Sequence, residues 1–198
     1  SKINHPSNYN FTINAIGNHN ILNATASIIA AKLIGVSNNF INKALIKYIG
    51  VKRRFSFIGK KNKAFIYDDY AHHPTEIKMT LDGVKKVYKD YEKVCVFQPH
   101  RISRLRDLRK EFSYSFQDAD IVILCPVYLA GEKIKLGFSY LKFAKEIIKN
   151  SKVRLFLIKD NLQLAKFIKK NIYGKKIVIG MGAGTISNWM RELPELMK

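Results

Sequence analysis

The chain has 198 residues, with 35 Lys+Arg against 15 Asp+Glu and a formal charge of +20. Hydrophobic residues make up 47%, enough for a real core and unlike a disordered chain. No run approaches the roughly 20 apolar residues of a membrane helix, and the first ten residues lack the apolar core of a signal peptide.

Cys95 and Cys125 sit in the apolar runs VCVF and VILC. They read as buried thiols of a cytoplasmic protein, not as a disulfide framework or metal set. The excess charge suits anionic partners. It is also spread along a chain rich in Lys, Asn and Ile, as a compositional bias would leave it.

Residues 1–50 are Asn-rich and mostly helical. YNFTINA (9–15) alternates weakly and suggests a short strand. From Asn20 onward, Ile21, Leu22, Ala24, Ile28, Ile29 and Leu33 mark a helix that Gly35 stops. Ser37 stands where it can cap a second helix, NNFINKALIKYI, which Gly50 ends. Fifty residues give these helices no adequate partner, so the segment reads as the incomplete end of a domain.

From 51 to 198, strand and helix alternate. KAFIYDD, KVCVFQP, DIVILCP, VRLFLIK and KKIVIGMG are short, apolar and β-prone. Helical stretches are expected at 75–90, 105–117, 139–150, 161–173 and 185–197. Parallel strands joined through helices form a doubly wound α/β sheet, and ligands bind beyond the strands' carboxyl ends. Those ends read DDYAHHP, QPHRISR, CPVYLAGE and GMGAG.

Several clusters at these positions can carry chemistry. In GNHNILN (17–23), the amides of Asn20 and Asn23 share a helix face and can pair with a nucleobase edge, or Asn20 is an ordinary cap. In GVKRRFSF (50–57), an extended backbone would turn Arg53 and Arg54 to opposite faces. One of them could grip phosphate, or both could form a solvated basic edge.

In DDYAHHPTE (68–76), Pro74 opens a helix, and a carboxylate at the strand end could take ribose hydroxyls. Adjacent His72 and His73 make a metal site the weaker reading. In QPHRISRLRDL (98–108), Arg101 and Arg104 suit a carboxylate held in fork geometry, and the macrodipole disfavours placing them at a helix start without a ligand. GMGAG (180–184) reads as a close-packed strand-to-helix turn.

GNHNILNATA, GVKRRF, DDYAHHPTEI, FQPHRISRLRDL, VYLAGE and GMGAG occur in the order and approximate spacing that resembles the Mur ligases. The combination of DDYAHHPTE, FQPHR and GVKRRF is most similar to the alanine-adding branch. The resemblance runs from about Gly17 to the end. It implies a Rossmann-like, doubly wound, mostly parallel C-terminal domain (51–198) that presents the amino acid, preceded by the helical end (1–50) of a central ATPase domain.

It also implies an ATP- and Mg2+-dependent ligase in peptidoglycan synthesis, and so in cell-wall biogenesis, shape and division. That enzyme would join L-alanine to UDP-N-acetylmuramate through an acyl phosphate. By resemblance, Asn20, Asn23, Arg54 and Asp69 would serve ATP, while Tyr70, His72, His100, Arg101 and Arg104 would surround L-alanine. No residue here is expected to be a covalent catalyst or metal ligand.

The sequence departs from the family pattern in places. It contains no G-x-x-x-x-G-K-[ST] loop, so the magnesium ligands are expected in the missing N-terminal and central domains, and the isolated chain is expected to be inactive. Ile16 stands where the family usually has Pro, and Ser187 where Gly is common. The rival readings are a ligase that recycles peptides onto the same sugar, a basic nucleic-acid-binding module, and an inactive remnant or half of a split enzyme.

Overall fold

The computed structural model of the chain is described for residues 2–4, 9–14, 18–48, 50–61, 63–133 and 139–197. Two compact units divide it, 1–51 and 52–198. In the first, β1 (Lys2–Asn4) pairs antiparallel with β2 (Asn10–Thr12). Helices α1 (Asn18–Leu33) and α2 (Asn38–Lys47) follow.

Helix α1 ends in a Schellman motif: Val36 N donates to Ala31 O, Gly35 N donates to Lys32 O, and Gly35 takes φ +86°. Ser37 occupies the N-cap of α2, but its side chain makes no capping hydrogen bond. The small core joins Phe11, Ile13, Ala24, Ile28 and Ile41. Leu22, Ile29 and Leu33, among the apolar positions that mark the helix in the sequence, are exposed. The apolar residues of α1 ring the helix, and this unit covers only one side. Gly17 and the departure at Ile16 lie outside the described residues.

The second unit runs β3 (Ser56–Lys61), β4 (Ala64–Asp69), α3 (Pro74–Val87), β5 (Glu92–Phe97), α4 (Ile102–Asp107), α5 (Arg109–Tyr114), β6 (Ile121–Leu124), α6 (Tyr140–Ser151), β7 (Arg154–Leu157), α7 (Asn161–Asn171), β8 (Lys176–Met181) and α8 (Ile186–Leu196). The sheet order is β3-β4-β8-β5-β6-β7. Every pairing is parallel except β3 with β4. This is the doubly wound α/β sheet the sequence implied, with one antiparallel edge strand added.

Alternation along the strands separates two cores. Cys95, Phe97, Val122 and Leu124 pack with Ile77, Leu81, Phe112 and Phe143 on one face. Val94, Val96, Ile121 and Ile123 pack with Leu164, Ile168, Met190 and Leu193 on the other. Both cysteines are free and buried, and burial pushes the Cys125 thiol up to about 12.

The single helix expected at 105–117 is instead two short helices, α4 and α5. Leu108, at φ −109° and ψ 26°, leaves helical geometry and packs its side chain on the core. Arg109 then anchors the start of α5 by a two-bonded pair with Glu146 on α6, at 2.6 and 3.0 Å.

The last strand, β8, inserts between β4 and β5. Asp69, Met181 and Phe97 therefore lie in register, and the carboxyl ends of three strands come side by side. Two glycines permit this crowding. A Cβ on Gly180 would stand 2.2 Å from Met190 Cγ. Gly182 has φ +152°, and a Cβ there would stand 2.7 Å from the Gln98 carbonyl oxygen. We expect Gly182→Ala to cost about 1–3 kcal/mol, the usual penalty of overpacking. Gly59→Ala, with nothing within 4 Å of the new methyl, should stay within about 0.5 kcal/mol of the parent. Urea unfolding of both variants compares them directly.

Candidate functional site

At the carboxyl end of β4 the two aspartates point to opposite faces. Asp68 is buried and accepts the Ser187 hydroxyl at 2.5 Å. Arg191 donates to Ser187 Oγ and to Ser187 O, at 2.6 and 3.2 Å. The serine that departs from the family pattern thus ties β4 to α8.

Asp69 is 4% exposed. Its Oδ2 accepts the Phe55 amide and its Oδ1 the Ala71 amide, both at 2.7 Å. Each oxygen of the carboxylate expected to face ribose hydroxyls thus accepts one main-chain amide. Burial pushes its pKa up to about 6; the two amides and Arg54 oppose that rise, and Glu76 adds to it.

The extended backbone expected at Arg53 and Arg54 is replaced by a turn, with Arg53 at φ +61° and Phe55 at φ +49°. The antiparallel edge forces this reversal: Tyr70 N donates to Arg53 O at 2.6 Å, continuing the β3–β4 pairing into the turn. Both guanidiniums consequently reach the same ring. Their Cζ atoms lie 4.6 Å (Arg53) and 5.7 Å (Arg54) from the Tyr70 centroid. Arg53 also donates to Gly182 O at 2.8 Å.

Helix α3 begins with a capping box. His73 Nδ1 accepts from Thr75 N, and Glu76 Oε2 accepts from the His72 and His73 amides at 3.0 and 3.1 Å. Burial alone would raise the Glu76 carboxyl. The two amides, His72 and Arg54 outweigh that effect and hold it below its ordinary value. His72 Nδ1 lies 2.9 Å from Tyr70 O. A carbonyl only accepts, so Nδ1 carries the proton, which in the neutral ring leaves Nε2 as the acceptor.

Beyond β5, Gln98 is buried and its Oε1 accepts Ile186 N at 3.0 Å. His100 lies edge-on to His72 at 5.9 Å and stacks on Tyr128 at 5.5 Å. Its Nδ1 is 3.4 Å from Arg104 Nη1, which can only donate. Burial, Arg104, His72 and Arg101 all lower the His100 pKa, so the ring is neutral near pH 7. Arg101, at φ +69°, is exposed and precedes α4.

One line of contacts thus joins Arg54, Tyr70, His72, His100 and Arg104 along the rim, with Asp69 beneath it. Arg101 adjoins this line through His100. Asn20 and Asn23 belong to the first unit, on α1, where Asn20 is half-buried and Asn23 exposed. Residue types alone do not single out Gln98, Tyr128 or Glu132, and they do not choose between Arg53 and Arg54. The Glu at the third position after His73, with Pro74 between, is a legible capping-box signal that marks Glu76.

An α/β domain whose strand-end rim carries arginines and imidazoles offers donors that can meet an anion. Residues 53–184 match the family model "Mur ligase, glutamate ligase domain", and the chain belongs to that family. It is 62% identical over 98% of its length to the UDP-N-acetylmuramate–L-alanine ligase of Pelagibacter ubique. It is 38% identical over 93% of its length to that of Bartonella tribocorum. It spans 43% and 39% of those two proteins.

Among solved structures it resembles a UDP-N-acetylmuramate-alanine ligase from Thermotoga maritima. The TM-score is 0.78 at 28% identity, over 95% of this chain and 40% of that one. A murein peptide ligase from Psychrobacter arcticus gives 0.68 at 25% identity, over 96% of this chain and 39% of that one.

The shifted aspartate makes stability depend on pH. Both folded and unfolded chains hold the Asp69 proton below the ordinary carboxylate pKa of about 3.9. From there to about 6 only the folded chain holds it, so the stability linked to Asp69 falls as pH rises through that window. Asp69→Asn should remove this downward component. The difference in urea midpoint between parent and variant, followed across the window, tests it. A difference that stays flat would refute the shift.

Proposed function

We propose that this chain is the amino-acid-presenting part of an ATP-dependent ligase that joins L-alanine to UDP-N-acetylmuramate. The observation that carries this reading is the unbroken line Arg54–Tyr70–His72–His100–Arg104, with Arg101 beside it. Family membership and the 62% identical relative agree with it. Unit 1–51 is read as the end of a central nucleotide-binding domain, which is consistent with the exposed apolar side chains of α1.

The rim residues of the second unit suit these roles in order. Arg54 is about half exposed and lies 3.7 Å from Glu76, so its guanidinium suits a nucleotide phosphate. Asn20 and Asn23 suit the adenine edge. Asp69 serves the nucleotide side by bracing the turn that carries Arg54, each of its oxygens accepting one amide. ATP supplies the phosphoryl group that activates the sugar's carboxylate. No group of three or more His, Cys, Asp or Glu suited to a metal occurs among the described residues. No step is therefore assigned to magnesium within this chain.

Arg101 and Arg104 hold the alanine carboxylate by charge-assisted bonds. Neutral His100 adds no competing charge. His72 offers Nε2 to an N–H of the incoming amine, and Tyr70 walls the site. The amine nitrogen attacks the acyl-phosphate carbon and forms the C–N bond. The nitrogen gives a proton to His72 Nε2, the C–O bond to phosphate breaks, inorganic phosphate leaves with that electron pair, and the amide remains. Fixed guanidiniums stabilise charge as it develops.

Two variants of the full-length ligase test the assignment. Arg101→Lys keeps the charge and loses the fork. It should raise the KM for L-alanine about ten- to a hundredfold, the equivalent of one charged hydrogen bond, and leave the KM for ATP nearly unchanged. Asn23→Ala should do the reverse. Unchanged alanine dependence in Arg101→Lys would mean that the arginines are a surface feature. The 198-residue chain alone, having no phosphate loop, should release no phosphate in the presence of alanine.

A further inference from the structure

The arginine-bearing turn is held from outside by the segment that follows β6. Arg101 adopts φ +69° and ψ 133°, a region that L side chains rarely occupy, and nothing in its own sequence favours this. Three contacts over-determine it. Arg101 N donates to Tyr128 O, and Tyr128 N to Pro99 O, both at 2.8 Å. Glu132 then receives both donors of Ser103: the amide at 2.9 Å and the hydroxyl at 2.5 Å.

Ser103 lies between Arg101 and Arg104, so this double grip fixes the backbone on which both guanidiniums stand. A tight reversal presents the carboxylate, with Ala130 at φ +50°, Gly131 at φ +86°, and Glu132 N bonded to Leu129 O at 3.0 Å. The Ser103 donors hold the Glu132 carboxyl below its ordinary value, so it is ionised at neutral pH.

We propose that Glu132, acting through Ser103, is a positioning residue for amino-acid recognition: it clasps the start of α4 so that Arg101 and Arg104 stand ready for a carboxylate. The proposal rests on the reading that these two arginines hold the alanine carboxylate. Glu132 does not touch the substrate. Its work is preorganisation, setting the donors before binding so that no ordering is required when the amino acid arrives.

The test uses the full-length ligase. Glu132→Gln removes the charge and leaves one acceptor for two donors. Ser103→Ala removes the hydroxyl and keeps the amide. Each should raise the KM for L-alanine about tenfold, with kcat and the KM for ATP within about twofold. The double variant should be no worse than the more affected single, because both changes break the same contact. The Ser103 amide should also exchange its hydrogen faster in Glu132→Gln.

If both singles keep the parental alanine KM while Arg104→Lys raises it, the clasp is refuted and the amino-acid site stands. If Arg101→Lys and Arg104→Lys also leave that KM unmoved, the site reading fails and the clasp falls with it. A parallel rise in both KM values with a drop in kcat would mean that Glu132 only supports the fold, and would overturn the proposal.

Discussion

Main-chain amides at the carboxyl edge of the sheet need acceptors where the strand ladders run out, and a buried carboxylate meets that need beside β4. Asp69 takes the amide of Phe55, 14 residues upstream, and that of Ala71, two residues downstream. One side chain thereby closes the open end of the β3–β4 hairpin and starts the loop toward α3. Taking a carboxylate out of water is costly, and here its two amides do not fully offset that cost, since its pKa still rises to about 6. Everything on this half of the rim depends on the resulting turn: Arg53 and Arg54 over Tyr70, Tyr70 edge-on to His72, and His72 against Glu76.

The other half depends on room. Gly180 in β8, and Gly182 and Gly184 just beyond its end, leave their side-chain space to Met190, the Gln98 carbonyl, and the Tyr128 ring beside Gln98. Gln98, buried in that crowd, accepts the first amide of α8 and bonds Thr185. The main chain leaving β5 is thereby aimed so that His100 meets His72 across the rim and Tyr128 along it. The two halves touch through the imidazole pair.

The sequence made the sheet legible because parallel strands read as short apolar runs, four of them largely buried and β7 at the exposed edge, and each of the five runs is a strand. It hid β3: SFIGKK is half-exposed, bulged between Phe57 and Gly59, and carries the Lys residues of an edge strand. It also hid the break at Leu108, where helical periodicity continues but packing overrides it. In the site, strand-end positions pointed to one shared rim, while the grouping of Tyr70, His72, His100 and Arg104 came from the family resemblance. Asp69 could be located but not interpreted, because its donors come from Phe55 and Ala71. Glu132 and Ser103 are 29 residues apart, and no local pattern announces their contact.

The rim's charges are arranged unequally, and this inequality decides what it can hold. Its carboxylates are answered largely by neutral donors: Asp69 by two amides, Glu132 by Ser103, Glu76 by the amides of His72 and His73. One of its guanidiniums, that of Arg54, is held less firmly. Arg54 approaches Glu76 only at 3.7 Å with half its side chain in solvent, an ion pair worth about 0–1 kcal/mol. A phosphate or carboxylate able to form charge-assisted hydrogen bonds offers about 1.5–3 kcal/mol for each. Arg54 can therefore turn to a ligand without stranding Glu76, whose oxygen keeps its amides. Buried Asp69 and the amide-held Glu76 build the platform, and Arg54 above it remains available to an anion.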